Sequence, residues 1–213
     1  IMIDLYSWQT PNGRKVSIML EETGIDYNVF PINIAKDEQF QPHFLEISPN
    51  NRIPAIIDKD NNNYSLFESG AILMYLAEKS GKLINKSNTD EYYRTIEWLM
   101  WQMGGVGPMF GQVHHFVKYN KGKSAYAEER YSKEARRLYG VMDKRLSVNP
   151  YIAGKEYSIA DISIWPWTAR FDWQEIDLNE FPNVTRWYKE MIDRPAVQKG
   201  WLVPQNDQSI PSP

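Results

Sequence analysis

The period of the hydrophobic pattern changes once along this chain, and that change limits the folds open to it. Through roughly residue 83, strand-like and helix-like segments take turns. Met2 to Tyr6 alternates apolar and polar residues and reads as a strand, followed by a turn at Thr10-Pro11-Asn12-Gly13. From Arg14, the spacing of Val16, Met19 and Leu20 predicts a helix that stops at Gly24. Tyr27 to Ile32 reads as a second strand and Pro42 to Glu46 as a short helix. Ala55 to Asp58 and Tyr64 to Phe67 read as strands joined through Asn61-Asn62-Asn63. Ser69 opens a helix with Ile72, Leu73, Leu76 and Ala77 inward and Gly81 at its end.

Beyond a polar linker at 84–90 no strand pattern returns. Helices are expected over 92–103, with breaks near Gly104-Gly105 and Gly107-Pro108, then over 125–146, 158–171 and 183–193. Ala127, Tyr131, Ala135, Leu138, Met142 and Leu146 form an amphipathic stripe. The fold class is thus α/β followed by all-α, with domains at 1–83 and 91–205 and a loose tail at 206–213.

Composition then removes whole classes of function. Cysteine is absent from the 213 residues, which excludes disulfides, thiolate metal sites and a cysteine nucleophile. Any thiol chemistry must use a thiol that the ligand brings. With only His43, His114 and His115, no metal is expected. The net charge of -3 lacks the footprint of a nucleic-acid binder. The longest apolar run, 71–77, is too short to cross a bilayer. The first eight residues carry neither a basic start nor an export-type apolar core, so a cytoplasmic location is expected. Ile1 reads as an addition ahead of the natural start at Met2. Aromatics are heavy at 14%, with eight Trp; most are expected in the core, and a surplus suits a pocket for flat or apolar ligands.

Four segments invite a chemical reading, each beside a plainer one. Thr10 and Asn12 stand where a strand hands over to a helix, and the unpaired N–H groups and dipole of a helix start stabilise a thiolate. The plainer reading is that both merely cap the helix. In Asn51-Arg52-Ile53-Pro54-Ala55, a proline opens a strand and is placed for a cis bond, which would turn the Ile53 amide outward toward an extended peptide. Arg52 beside it suits a carboxylate; the alternative is an ordinary turn proline. Ser69 reads as an N-cap whose neighbouring N–H groups form a carboxylate site, while Glu68 suits an ammonium. Together they fit an α-amino acid head group, or else form a plain cap. Ser158-Ile159-Ala160-Asp161 is a capping-box pattern with Asp in the acidic position, and Ser158 and Asp161 are read as structural.

Two further features are less specific. His114 and His115 are neighbours on a helix and point about 100° apart, so with Phe116 they suit a core or a pocket wall rather than a metal. Arg130 departs from the apolar stripe of its helix and reads as a surface charge or a carboxylate contact.

In this order and spacing, the segments 51–55, 68–72 and 158–161 resemble those of glutathione transferases over nearly the whole chain. Thr10 to Gly13, Ser48 to Pro54, Gly104 to Met109, and Gly111-Gln112 through His114-His115-Phe116 resemble the bacterial Nu class more narrowly. That class is similar to the globular domain of the yeast nitrogen-regulator prion protein. The resemblance implies a thioredoxin-like first domain with a mixed four-stranded sheet and an all-helical second domain that forms the second-substrate pocket. It implies glutathione as co-substrate, held in reduced or oxidised form, and reduction of disulfides with it.

Carried over residue by residue, the resemblance puts Thr10 and Asn12 beside the glutathione sulfur, and Ile53 before a cis Pro54 on the cysteinyl unit. Glu68 and Ser69 match the γ-glutamyl clamp, Gln39 and Arg52 the glycyl end, and Arg130 a contact to a second glutathione. His114, His115 and Phe116 fall in the second-substrate region. A homodimer is expected as well, symmetric pairs being the commonest assembly. One departure stands out: other classes activate the thiol with Tyr or Ser in the first turn, and neither Tyr6 nor Ser7 matches cleanly. The competing readings are conjugation of glutathione to electrophiles, peroxide reduction, and a non-catalytic binding module.

Overall fold

The computed structural model describes residues 2–213; Ile1 lies outside the described residues. The chain divides into two compact units, the first built from residues 2–84 and 193–210 and the second from 85–192 and 211–213.

The first unit is organised by a four-stranded sheet. Strands β1 (Met2–Ser7), β2 (Asp26–Pro31), β3 (Ala55–Asp58) and β4 (Tyr64–Phe67) lie in the order β2-β1-β3-β4. β1 and β2 are parallel, and β3 and β4 complete the sheet antiparallel, so the sheet is mixed. Pro31, which cannot donate to a ladder, sits at the end of an edge strand. Helix α1 (Pro11–Thr23) provides the crossover from β1 to β2. It starts on Thr10, has Pro11 as its first residue, and ends on Gly24 in the left-handed conformation at φ 71°. A four-residue helix α2 (Pro42–Leu45) precedes β3, and α3 (Ser69–Ser80) follows β4. The alternating strand and helix signals therefore resolve into the expected elements.

α1 departs from expectation in its burial. The spacing of Val16, Met19 and Leu20 predicts one inward face, yet Gly13 through Leu20 are all buried, Arg14 and Lys15 included. The cause is a helix the sequence did not announce, α9 (Pro195–Trp201), which returns to the first unit and packs on α1, as α3 also does. Arg14 donates from Nε to the Trp201 carbonyl at 3.1 Å and stacks its guanidinium 3.5 Å from the Trp201 ring centre. Residues 206–213 form no helix or strand, but they are tied down where a loose tail was expected. Arg14 donates to Gln208 Oε1 at 2.9 Å, Trp201 Nε1 to the Gln208 carbonyl at 2.8 Å, and Tyr188 to the Pro211 carbonyl at 2.6 Å.

The second unit is helical, with no strand among its described residues. After the Asn88 cap, α4 (Thr89–Trp101) runs on through a π-helical stretch at 102–106, α5 (Gly107–Val113) and a second π-helical stretch at 114–119. The expected breaks at Gly104-Gly105 and Gly107-Pro108 are absent. Pro108 lacks the N–H an uninterrupted α-helix requires, and the wide turn before it shifts the hydrogen-bond register instead of ending the helix. α6 (Ala125–Leu146) buries Ala135, Leu138, Met142 and Leu146 from its predicted stripe. α7 (Ile159–Thr168) is buried along its whole length, and α8 (Pro182–Ile192) follows. The capping box at Ser158 and Asp161 forms as read, and Asp161 also accepts from Ile152 N at 2.9 Å and Trp187 Nε1 at 2.9 Å. No described helix is long and apolar enough to cross a membrane.

Candidate active site

Strand register gathers the first-unit segments singled out in the sequence. Tyr6 lies opposite Ala55, and Ala55 opposite Phe67. The end of β1, the start of β3 and the end of β4 therefore share one end of the sheet. Just past those residues come Thr10 and Asn12, Ile53 and Pro54, and Glu68 and Ser69.

At the first of these, Thr10 adopts an extended conformation and its Oγ1 accepts from Gly13 N at 3.1 Å. Thr10 O takes the Arg14 N–H at 2.9 Å. Accepting with its oxygen leaves the Thr10 hydroxyl its own proton to donate. Asn12, half-buried at the second helical position, adds a carboxamide and a backbone N–H at the positive end of the helix dipole. Gly13 is required here, because a Cβ would lie 2.2 Å from Trp8 O. Ser7 is fully buried and donates back to Trp8 O at 3.4 Å. Tyr6 stacks on Phe30 at 4.8 Å, and burial followed by the Asp4 charge pushes its pKa up. Neither group therefore faces the start of α1 as a free hydroxyl donor in the way the first-turn activators of other classes would.

At the second, the Ile53–Pro54 peptide is cis. Ile53 packs on the cluster of Ile32, Phe44 and Ala55, and its N–H and C=O have no hydrogen-bond partner among the described residues. Ser48, buried, donates to the Arg52 carbonyl at 2.7 Å and fixes the loop from behind. Arg52 itself is exposed. Gln39, in a short 3-10 turn at 38–40, is half-buried, and its Oε1 is buried without a partner.

At the third, the structure corrects the cap. Glu68, at φ 72°, occupies the N-cap position of α3, and Ser69 is the first helical residue. A left-handed non-glycine residue is uncommon and costs energy, of order 1–3 kcal/mol, that the surroundings must offset. Its effect is to hold Glu68 exposed while Ser69 is buried at the helix start. Beneath them lies a residue the sequence reading missed: Lys15, fully buried, donates from Nζ to Ser69 Oγ at 3.1 Å. Burial pushes its pKa down to about 7, and Glu68 pulls it back up. An unbroken run of buried positions through Arg14 and Lys15 carried no such signal in apolar periodicity.

In the second unit the candidate residues have different surroundings. His114 is 7% exposed, with its ring beside those of Trp167 and Trp173. It shares a 3.0 Å hydrogen bond with Gln174 Nε2, whose Oε1 accepts from Tyr139 at 2.5 Å. Burial and then the Arg170 charge push the His114 pKa down to about 4, so it is neutral at ordinary pH. His115 is exposed and meets the Phe116 ring edge-on at 4.8 Å, and Phe116 stacks on Tyr131 at 5.6 Å. Arg130 is exposed on α6 in an open groove with Met109, Tyr131, Glu134 and Arg137, where a carboxylate has access to it. No group of three or more His, Cys, Asp or Glu among the described residues is placed to hold a metal.

A mixed sheet with a cis-proline loop, a polar helix start and an acidic-seryl pair at one end, followed by a helical unit, defines a class. The glutathione S-transferase N-terminal domain family matches residues 2–78 and the glutathione S-transferase C-terminal domain family matches 105–195; the chain belongs to the glutathione S-transferases. Among its relatives, the disulfide-bond oxidoreductase YfcG of Escherichia coli is 48% identical over 96% of each chain. A Burkholderia graminis glutathione transferase solved with two glutathione molecules bound per subunit is 42% identical, with a TM-score of 0.90 over 97% of this chain and 90% of that one. A Pseudomonas putida glutathione transferase solved with one glutathione disulfide per subunit is 43% identical, with a TM-score of 0.89 over 95% of this chain and 92% of that one.

Proposed function

We propose that this protein is a glutathione-dependent disulfide-bond reductase. The observation that carries the reading is the convergence at one end of the sheet of a helix start bearing Thr10 and Asn12, the unpartnered Ile53 amide, and the Glu68–Ser69 pair. Extended glutathione fits that sequence of groups. Glu68 and Ser69 meet the ammonium and carboxylate of the γ-glutamyl end, the Ile53 amide pairs with the cysteinyl backbone, and Gln39 and Arg52 lie toward the glycyl end. The sulfur then sits at the mouth of α1. Related chains named as disulfide-bond oxidoreductases, and a relative solved with glutathione disulfide, support the disulfide as the second partner.

The chain's role is electrostatic. Hydroxyl and N–H donors at Thr10 and Asn12 favour the thiolate of a thiol whose free pKa is near 8.5. The thiolate attacks one sulfur of a disulfide, forming a new S–S bond and expelling the other sulfur as a thiolate, which takes up a proton. A second glutathione thiolate attacks the mixed disulfide, giving glutathione disulfide and the second reduced thiol. The protein has no cysteine, so every sulfur in this exchange belongs to a ligand. Arg130 is the proposed contact for the second glutathione. We also assign the protein a cytoplasmic location and a symmetric dimer, which light scattering tests as a mass twice that of the chain.

Turnover separates this reading from conjugation. The expected result is fast glutathione-dependent reduction of hydroxyethyl disulfide, slow reaction with chlorodinitrobenzene, and calorimetric binding of glutathione disulfide. The reverse ranking of the two substrates would make conjugation the activity, and absence of glutathione binding would leave a non-catalytic module. Asn12→Ala should raise the bound-thiol pKa by about one unit, the scale of a hydrogen bond to a charged group. A thiolate absorbance titration reads that shift directly.

A further inference from the structure

The loop ahead of Ile53 doubles back on itself. Ser48, just past α2, donates its N–H to the Phe44 carbonyl at 2.8 Å, and its own carbonyl accepts from Asn51 N at 2.9 Å. Asn51 is left-handed at φ 49°, a conformation that asparagine tolerates. The turn brings the Arg52 carbonyl back to the Ser48 side chain. Ser48 is fully buried, and its hydroxyl donates to that carbonyl at 2.7 Å. A buried hydroxyl costs free energy unless it is bonded, and alanine would fill nearly the same space without that demand. The serine is therefore informative.

We propose that Ser48 is a positioning residue for the Ile53 amide: by holding the Arg52 carbonyl, it aims the Ile53 N–H at the cysteinyl carbonyl of the ligand. The inference rests on the glutathione-binding reading above and deepens it. The Arg52 carbonyl and the Ile53 N–H belong to one planar peptide unit, and that unit is trans. Its C=O and N–H therefore point in opposite directions. Fixing the carbonyl against the buried Ser48 turns the N–H away from it. The Ile53 side chain is a second anchor, packed on Ile32, Phe44 and Ala55. A pinned carbonyl before Ile53 and a packed side chain on it leave the N–H little freedom to rotate.

Phe44 ties the two anchors together. Its carbonyl holds Ser48 N, and its side chain belongs to the cluster on which Ile53 packs. α2, only four residues long, thus sets both. The Ile53 N–H has no partner among the described residues, so a ligand carbonyl meets a donor that is already aimed. Donation from Ser48 into the carbonyl also polarises the peptide unit and strengthens its N–H as a donor.

The test compares two thiols in hydroxyethyl disulfide reduction. γ-Glutamylcysteine amide keeps the cysteinyl carbonyl, and γ-glutamylcysteamine lacks it. In Ser48→Ala, kcat/KM for the first should fall about 5-fold or more through KM, while that for the second changes less than about 2-fold. Equal losses for the two thiols, or no loss for either, would overturn the proposal. Should Ser48→Ala not fold, the wild type is followed by NMR at the Ile53 amide and at the Ser48 hydroxyl proton. S-methyl-γ-glutamylcysteine amide should shift the Ile53 amide and slow exchange of the Ser48 hydroxyl, because bonds at the two ends of one peptide unit reinforce each other. S-methyl-γ-glutamylcysteamine should do neither. No shift at Ile53, or a shift without slower exchange at Ser48, overturns the proposal. If the wild type binds no S-methylglutathione by calorimetry, the glutathione-binding reading itself fails, and the proposal with it.

Discussion

One hydroxyl at Thr10 caps α1, and in the proposed reaction it also donates to the ligand sulfur. Its oxygen accepts from Gly13 N at 3.1 Å, which leaves its proton for that second role. The two readings open at the level of sequence, cap and thiolate donor, are therefore compatible. Thr10→Val should lower stability by about 1 kcal/mol through the lost cap and also raise the bound-thiol pKa, whereas Thr10→Ser should keep both near wild type. Denaturant unfolding and thiolate absorbance measure the two effects separately. Stability lost with no change in thiol pKa would leave Thr10 a cap alone. The Thr10 cap was legible because capping residues at strand-to-helix junctions leave local signatures, whereas at α3 the cap falls one residue earlier than read, on Glu68. The burial of Lys15 was not legible, because nothing local distinguishes a solvated lysine from one that ends against Ser69 of α3.

At the scale of elements, the second unit holds two buried ionisable groups that respond to pH with opposite signs. His114 has its pKa pushed from 6.5 to about 4, so between those values the unfolded chain binds a proton the native chain does not. Its contribution makes stability fall as pH falls through that window. Asp161, beneath the start of α7, is pushed by burial from 3.8 to about 6, against the pull of its hydrogen bonds. There the native chain keeps a proton the unfolded chain has lost, and stability rises as pH falls from about 6 toward 3.8. Each shift spans roughly two units, or about 3 kcal/mol at most, so the two largely cancel near pH 5. Denaturant unfolding at pH 6.5, 5 and 4 should show a shallow profile for the wild type. His114→Gln should gain stability toward acid relative to its value at pH 6.5, and Asp161→Asn should show the acid loss unmasked. Parallel profiles for all three proteins would refute both assignments. The capping box around Asp161 was legible in four consecutive residues. Its bonds to Ile152 and Trp187 were not, since they join distant parts of the chain. The π-helical stretches were missed for a related reason: glycines and Pro108 weaken a helix locally, but burial of Val106, Phe110 and Val113 carries it through.

For the whole molecule, the chain leaves the first unit at residue 84, builds the second, and returns at 193. That return was invisible because α9 spans seven residues behind Pro195, too few for a period to register. Yet it completes the first unit. Gly200 lies so close to α1 that a Cβ would come within 2.6 Å of the Ile18 backbone, and its carbonyl accepts from Ser17 Oγ at 2.6 Å. Arg194 forms a paired hydrogen bond with Glu22, at 2.6 and 2.9 Å, and Gln208 reaches Gln9 at 3.2 Å, directly before Thr10. Without 193–210, Arg14 and Ser17 would face water from positions built for burial, and α1 would lose the packing that holds its first turn against the sheet. A fragment of residues 2–84 should therefore show no cooperative thermal transition by circular dichroism. Joining residues 193–210 to it through a flexible glycine-serine linker should restore one, because the missing face of α1 is then covered. A cooperative transition in the short fragment would show that the sheet and α3 suffice to fold α1. The candidate-site end of the sheet would then owe nothing to the returning segment.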